Sequence, residues 1–488
     1  MLFSDLVINK SEPIYIQIKK YLEDMISKGL LPHNSKLPST RELSLLLNVS
    51  RNSIVSAYEE LKSDGIIYSI SGKGTFVNSD NSIANSNWNI DYRYFENDYM
   101  KISNDMDIMK SEIQWKIGQI SFKSISPDGD LFDMEELKKS FLNRFNLEGH
   151  KLLNYGYAQG YKPLIEYLKN YMNKKGVNTT SKDILIVNGF TEGLNLIIST
   201  LTNKGDYILC ENPTHNTSIK IMKSYGLNII PVDMNENGVD FDDLHKKLTK
   251  YKDKIKFSYI TPSYHNPTGI VMSPENRYKF YNIMKQNNIS IIEDGFNEEL
   301  LYSSSHIFPI CSLDNNSNGV IYIGSFSKIL FPGLRIGWIL CDKNLIDRLE
   351  SVKRSTNIHV SFLDQGILYD YLQNGSFEKY IRKNKKFYGD KFNFAKSCIE
   401  KYIDCKYILG NGGLHLFIVF EDLDTRKLLN KCYKKDVIFM PGDLFYIDNK
   451  GKNTLRLGLS RLSYNDIEKG IKIIGETVNE IKSKLNHI

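Results

Sequence analysis

The chain has 488 residues, of which 41% are hydrophobic and 25% charged. At about 150 residues per domain this is length for roughly three folding units, enough to bury a core without disulfide or metal staples, and the composition excludes global disorder. The 63 Lys and Arg against 57 Asp and Glu leave a net charge of +6, a mild excess that by itself demands no nucleic-acid partner.

Met1 to Tyr15 carries Asp5, Asn9, Lys10 and Glu12 and no long apolar core, so no secretory leader is expected. No run of about 18 apolar residues follows, which predicts no spanning helix and no membrane partner. Cys210, Cys311, Cys341, Cys398, Cys405 and Cys432 form no C-x-x-C pair, so neither a zinc ribbon nor a thioredoxin-type motif is predicted. Buried free thiols in a reducing cytoplasm are the expectation.

Ile14, Ile18, Tyr21, Leu22 and Met25 share one face of a first helix. Ser39 to Glu42 opens a second, with Leu43, Leu46 and Leu47 inward. Ser50 is a good N-cap for a third, whose buried face is Ile54, Ala57, Tyr58 and Leu61. Ile66 to Ile70 and Thr75 to Val77 read as strands around a tip at Ser71-Gly72-Lys73-Gly74. Three helices and a hairpin describe a winged helix-turn-helix. Its third helix leaves Arg51, Asn52 and Ser53 free in the first turn, where polar groups reach base edges while Arg and Lys hold phosphates. Residues 1–77 hold nine basic and eight acidic side chains, but Lys36, Arg41, Arg51 and Lys73 fall in the turns and helix starts. Periodicity alone leaves a second reading open, a small helical domain that binds protein.

Leu37-Pro38-Ser39-Thr40-Arg41-Glu42-Leu43, Val49-Ser50-Arg51-Asn52-Ser53, Leu61 to Ile66 and Gly72-Lys73-Gly74-Thr75-Phe76-Val77 together resemble the GntR-type winged-helix domain. The resemblance implies DNA contacts from Arg41, Ser50, Arg51, Asn52 and Ser53 and from the wing at Gly72 and Lys73. Val55 stands where some GntR proteins carry Arg, so the operator sequence cannot be borrowed.

Eight of the thirteen residues 78–90 are Asn or Ser, and no period can be drawn through them. This predicts a linker, 79–114, between a unit at 1–78 and a long remainder, 115–488, in which strands and helices alternate as in α/β proteins. No solenoid-length repeat is present. Ile184 to Val187 runs into Asn188-Gly189-Phe190-Thr191-Glu192-Gly193 and a helix, a strand–turn–helix able to take an anion at the helix N-terminus. Later strands end at Asn266-Pro267-Thr268-Gly269, at Glu293-Asp294-Gly295 and at Ser325-Phe326-Ser327-Lys328, with Arg335 following. Ligands of open α/β sheets bind beyond the carboxyl ends of strands, so Asn266, Asp294 and Lys328 are expected in one crevice. A Lys amine can form a Schiff base with an aldehyde, an Asp can hold a ring nitrogen protonated, and hydroxyls with an Arg can bind a phosphate. That set fits pyridoxal 5′-phosphate (PLP).

Asn-Pro-Thr-Gly at 266–269 and Ser-Phe-Ser-Lys to Pro-Gly-Leu-Arg-Ile-Gly-Trp at 325–338 resemble the fold-type-I PLP-dependent aminotransferases. The resemblance implies an α/β large subdomain, about 140–350, with a mostly parallel sheet and helices on both faces, and a smaller α+β subdomain, about 360–488. It implies that Lys328 anchors the cofactor, Asp294 pairs the pyridinium and Asn266 bonds O3′. Phe190 and Thr191 N–H groups, Ser325, Ser327 and Arg335 would hold the phosphate, and Tyr155 would reach the phosphate of a partner subunit. His215 would stack on the ring, and Arg456 would bind a substrate or effector carboxylate. Phe296 falls where the family carries a Tyr that donates to O3′, a lost bond of roughly 1.5–3 kcal/mol.

A GntR-type reader joined to an aminotransferase-like domain resembles the MocR/GabR/PdxR regulators. This implies a homodimer that reads a repeated or palindromic double-stranded DNA operator and responds to PLP or to an amino acid or amine. A working aminotransferase with an accessory DNA-binding domain keeps the same residues, and a binding module that has lost PLP is a third reading.

Overall fold

A computed structural model describes residues 6–9, 12–78, 90–105, 116–251, 253–296, 298–300, 302, 307–315, 317–448 and 450–485. The chain divides into two compact units, 1–95 and 96–488.

The first unit holds helices α1 (Ile14–Ser27), α2 (Thr40–Leu46) and α3 (Arg51–Ser63), then the antiparallel hairpin β1 (Ile67–Ile70) and β2 (Gly74–Val77). Ser39 starts α2 with a capping box. Its hydroxyl accepts the Glu42 N–H, and the Glu42 carboxylate accepts the Ser39 N–H, a start signal worth about 1 kcal/mol. Ser50 Oγ accepts the Ser53 N–H in the same way at α3. Ile18, Leu43, Ile54, Ala57 and Leu61 are fully buried between the helices. Leu46 departs from the expected inward face and is 56% exposed. At about 100° per residue it lies to one side of Leu43 and Leu47, and the seven-residue α2 buries only Leu43.

The second unit opens with α4 (Asp98–Asp105), inside the span expected to be linker. Tyr99 packs edge-on against Tyr225 with ring centroids 5.5 Å apart. The Ser103 and Ser224 hydroxyls share a hydrogen bond of 3.3 Å, and Lys204 donates to Asp98. A helix this short is not stable alone, so its few apolar residues carry no sequence signal, and packing decides it. Residues 79–89 and 106–114 of the expected linker lie outside the described residues.

After β3 (Ile120–Ser121) come β4 (Lys182–Val187), β5 (Tyr207–Asn212), β6 (Asn228–Asn235), β7 (Gly238–Val239), β8 (Ile255–Ile260), β9 (Ser290–Asp294), β10 (Val320–Ser325) and β11 (Gly337–Asp342). These eight form one sheet in the order β4-β11-β10-β9-β8-β5-β6-β7. The strands from β10 to β6 are mutually parallel, and β11 runs antiparallel between β4 and β10. Both faces are covered, as the period of two requires. On β4, Ile184 and Ile186 enter one core while Leu185 and Val187 enter the other.

The C-terminal part adds β12 (Tyr407–Leu409), β13 (His415–Val419), β14 (Val437–Ile438), β15 (Met440–Pro441) and β16 (Thr454–Gly458). They give a sheet β12-β13-β16-β15, while β14 pairs with β3. Helices Ser376–Tyr402 and Tyr464–Leu485 share its core through residues such as Ile399 and Ile471. The architecture is the expected one: a winged helix-turn-helix, then an α/β unit of the fold-type-I aminotransferase kind with a smaller α+β part. All six cysteines are free, and only Cys405 is not buried. Among the described residues no helix is long and apolar enough to cross a membrane.

Candidate functional site

Four strand ends build one pocket. Asp294 closes β9, Ser325 closes β10 with Ser327 and Lys328 just beyond it, and the helix Gly189–Leu201 starts two residues after the end of β4. Because β11 is antiparallel, its beginning lies at this same edge, and Arg335 just before it turns in with the left-handed φ of 54°. The cavity has a volume of about 200 Å³ and is lined by Phe190, Thr191, His215, Asp294, Ser325, Ser327, Lys328 and Arg335, with Thr217, Gly295 and Phe296 also in its wall.

One end of the pocket suits an anion. Arg335 Nη1 donates to Ser327 Oγ at 3.1 Å and Nη2 to the Asn188 carbonyl at 3.0 Å, while Ser325 Oγ donates to Ser327 Oγ at 3.1 Å. The guanidinium thus lies across a helix N-terminus, so a fixed cation and free N–H groups act together. Gly189 makes the approach close. Its φ is +78°, and a Cβ there would stand 2.8 Å from Arg335 Nη2.

The other end holds an amine and a carboxyl with displaced proton affinities. Lys328 Nζ donates to Ser126 Oγ at 3.4 Å. Burial, helped by the charges of Arg456, Arg335 and Arg461, pushes its pKa down to about 8. Burial pushes Asp294 up to about 7, against the pull of the hydrogen bond from Tyr259, which donates to Oδ2 at 2.9 Å. His215 caps the helix Asn216–Ser224, shares a 3.1 Å hydrogen bond with Ser218 Oγ and tilts over Phe190. Burial and the Lys328 and Arg456 charges hold its pKa at about 3, so the ring is neutral at physiological pH. A part-neutral amine is a nucleophile near neutral pH, and a buried carboxyl is suited to share a proton with a ring nitrogen.

Asn266 and Arg456 stand beside the cavity and engage each other. Arg456 Nη1 donates to Asn266 Oδ1 at 2.7 Å and Nη2 to the Lys123 carbonyl at 3.1 Å. Among the described residues its buried Nε has no hydrogen-bond partner, and burial lowers its pKa to about 9. Within one chain Tyr155 is not brought to the cavity; it is 85% exposed and meets His359 edge-on. Sequence reasoning missed Ser126, Tyr259, Thr217 and Arg461. Arg461 Nε donates to the Pro127 carbonyl at 3.2 Å, next to the Ser126 that receives Lys328. Ser126 lies 202 positions from Lys328, so no local pattern could have joined them.

In the first unit Arg41, Ser50, Arg51 and Asn52 are exposed at the starts of α2 and α3, and Ser53 is half-buried with its hydroxyl on Ser50. Gly72, at φ +75°, and Lys73 are exposed at the hairpin tip. Acidic groups are occupied elsewhere: Lys19 draws in Asp64 at 2.6 Å and Glu60 at 3.1 Å, Lys20 pairs with Glu12, and Lys28 with Asp24. Among the described residues Arg41, Arg51 and Lys73 have no carboxylate within ion-pair distance. Beside the small net charge, the described residues thus include exposed cations at the helix starts and the hairpin tip that pair with no carboxylate.

Residues 92–474 match the family model for aminotransferase class I and II, and residues 14–77 that for bacterial regulatory proteins of the gntR family. The chain belongs to the class I and II aminotransferase family. Among curated relatives, an uncharacterized HTH-type transcriptional regulator of Bacillus subtilis, YdfD, is 29% identical over 97% of this chain and 98% of its own length. The aromatic-amino-acid aminotransferase 1 of Thermococcus litoralis is 31% identical over 75% of this chain and 89% of its own. The crystal structure of a multiple substrate aminotransferase from Thermococcus profundus superposes with a TM-score of 0.76 at 27% identity, covering 81% of this chain and all of that one. The two halves together define a transcriptional regulator in which a GntR helix-turn-helix domain is fused to an aminotransferase domain, the MocR-like arrangement.

Proposed function

We propose that this regulator holds PLP in the pocket and changes its reading of DNA when PLP, or an amino compound reacting with it, is present. The observation that carries the reading is the convergence of Lys328, Asp294, Ser325, Ser327 and Arg335 with a helix N-terminus on one cavity, in a chain that also carries a DNA reader. The residues fit the group. Arg335, Ser325, Ser327 and the N–H groups of Phe190 and Thr191 would hold its phosphate. Asp294, kept in place by Tyr259, would hold a proton on the ring nitrogen. Asn266 would bond the ring oxygen, and His215 would flank the ring. Lys328 presents an amine that loses its proton near neutral pH. When bound, PLP supplies an aldehyde for covalent capture by amines and a ring that withdraws electrons. Arg456 keeps Nε for a ligand carboxylate.

The same reading expects a homodimer acting in the cytoplasm on a double-stranded operator. Phe141, Leu142 and Phe145 on helix Met134–Leu152 are exposed, as are Leu153 and Tyr155 just beyond it. An apolar face of this kind marks an interaction surface, and across it the partner's Tyr155 would reach the phosphate. Arg41, Arg51, Asn52 and the wing at Gly72 and Lys73 would meet DNA. The complete set of Lys328, Asp294, Asn266 and Arg335 also favours a second reading, a turning-over aminotransferase. Phe296 weighs against it, since it lines the cavity and has no hydroxyl to donate.

The test is one titration. Protein purified without cofactor is followed by visible absorption and by binding to its own upstream DNA as PLP is added. An absorption band and a change in DNA affinity that rise together are expected. A band with no change in DNA affinity shifts the signal to amino compounds, with turnover as the competing role. No band at saturating PLP overturns the reading.

A further inference from the structure

One short helix joins the pocket to the segment that follows the DNA reader. At its first turn, Asn216–Ser224 presents His215 and Thr217 to the cavity. Ser218 Oγ in that turn bonds both His215 Nδ1 and the Tyr259 hydroxyl, each at 3.1 Å, and Tyr259 in turn donates to Asp294. The first turn is therefore wired to the carboxyl proposed to hold the ring nitrogen. The body of the helix is anchored by Ile221 and Met222 in the core that includes Val187, Ile292 and Ile323, residues of the site-bearing strands. Nine residues at 1.5 Å each span about 13 Å. At the far end stand Ser224 and Tyr225, the two residues on which α4 rests through Ser103 and Tyr99.

We infer that helix Asn216–Ser224 couples occupancy of the pocket to the docking of α4, so that a ligand beside His215 and Asp294 sets how the segment after the DNA reader is held. This rests on the PLP reading and names the regulation of that same site. Packed helices move as units, because interiors are dense and deform little. A ligand that shifts the first turn therefore shifts Ser224 and Tyr225. Among the described residues the docking contacts include one ring pair, one hydroxyl pair, and an ion pair between Asp98 and Lys204 that is 71% and 76% exposed. An eight-residue helix held partly by a solvated ion pair is one a ligand can bias, and the two states required for coupling are α4 docked and α4 released. Release lengthens the chain between Val77 and the first residue fixed on the large unit.

The experiment uses the full-length protein. Hydrogen exchange of residues 98–105 is measured with and without PLP, alongside visible absorption and DNA affinity, in the wild type and in Tyr99→Ala. In the wild type PLP is expected to change exchange in this segment by about tenfold. Tyr99→Ala should exchange fast with or without PLP, retain the absorption band, and lose the PLP-dependent change in DNA affinity. Two results overturn the coupling while leaving PLP binding intact: a normal band with no PLP effect on exchange at 98–105, or a full PLP effect on DNA in Tyr99→Ala. Absence of any band in the wild type overturns the PLP reading itself, and the coupling with it.

Discussion

At the reader's surface Arg41, Arg51 and Lys73 stand in solvent with no carboxylate near them. In the pocket, Lys328 shares a half-buried space with the charges of Arg456, Arg335 and Arg461, and only Asp294 opposes them. Both surfaces concentrate positive charge, with different consequences. Water screens the exposed cations of the reader, so their attraction for a polyanion would depend on salt. Of the pocket's arginines, Arg456 is buried while Arg335 and Arg461 reach solvent. Burial of the Lys328 amine is the larger cause, and their repulsion adds to it, so the effect falls on the group able to give up a proton. The first arrangement suits binding; the second suits chemistry.

Removing the amine breaks the contrast most sharply. Lys328→Ala should abolish the visible band and the covalent retention of PLP while leaving the fold and basal DNA binding intact. An unchanged effector response in that variant would show that capture by Lys328 is not the switch. Next in size, Leu43→Ala removes a fully buried side chain from the reader and should cost about 2–5 kcal/mol there. Calorimetry should show an earlier melting transition for the reader, with the PLP band preserved; a loss of the band would mean that the two units do not fail separately. Arg51→Ala should weaken operator binding by about 1–3 kcal/mol and leave PLP affinity unmoved, as read by fluorescence anisotropy and absorption on the same sample.

The smallest effect concerns pH. The neutral form of Lys328 is the reactive one, and its pKa is about 8. The rate of PLP capture should therefore climb by about tenfold per pH unit below that value and level off above it. Arg461→Gln removes one of the charges that lower this pKa, so its midpoint should move upward by a fraction of a unit. A midpoint that stays in place would exclude Arg461 from the field around the amine.

Most of the architecture was legible because its signals are local. Ser39 and Ser50 cap the helices they precede, and the strand ends at Asn266, Asp294 and Lys328 could be placed on one edge by the parallel-sheet rule. Leu46 misled because seven residues are too few for a stripe to declare its centre. The linker expectation erred at Asp98–Asp105, where Tyr99 gains its partner only from Tyr225, far along the chain.

The sequence by itself determined which side chains this protein can use: an amine, a carboxyl and an arginine at successive strand ends, and cations at helix starts. Those follow from hydrogen-bonding caps and hydrophobic periods that act within a few residues. Only the tertiary structure decided how those groups behave. Folding brings Ser126 to Lys328, Tyr259 to Asp294, Arg456 to Asn266 and α4 to Tyr225. Proton affinity and coupling depend on burial and on charges a few ångströms away, and neither distance nor solvent exclusion is written in the order of residues along a chain.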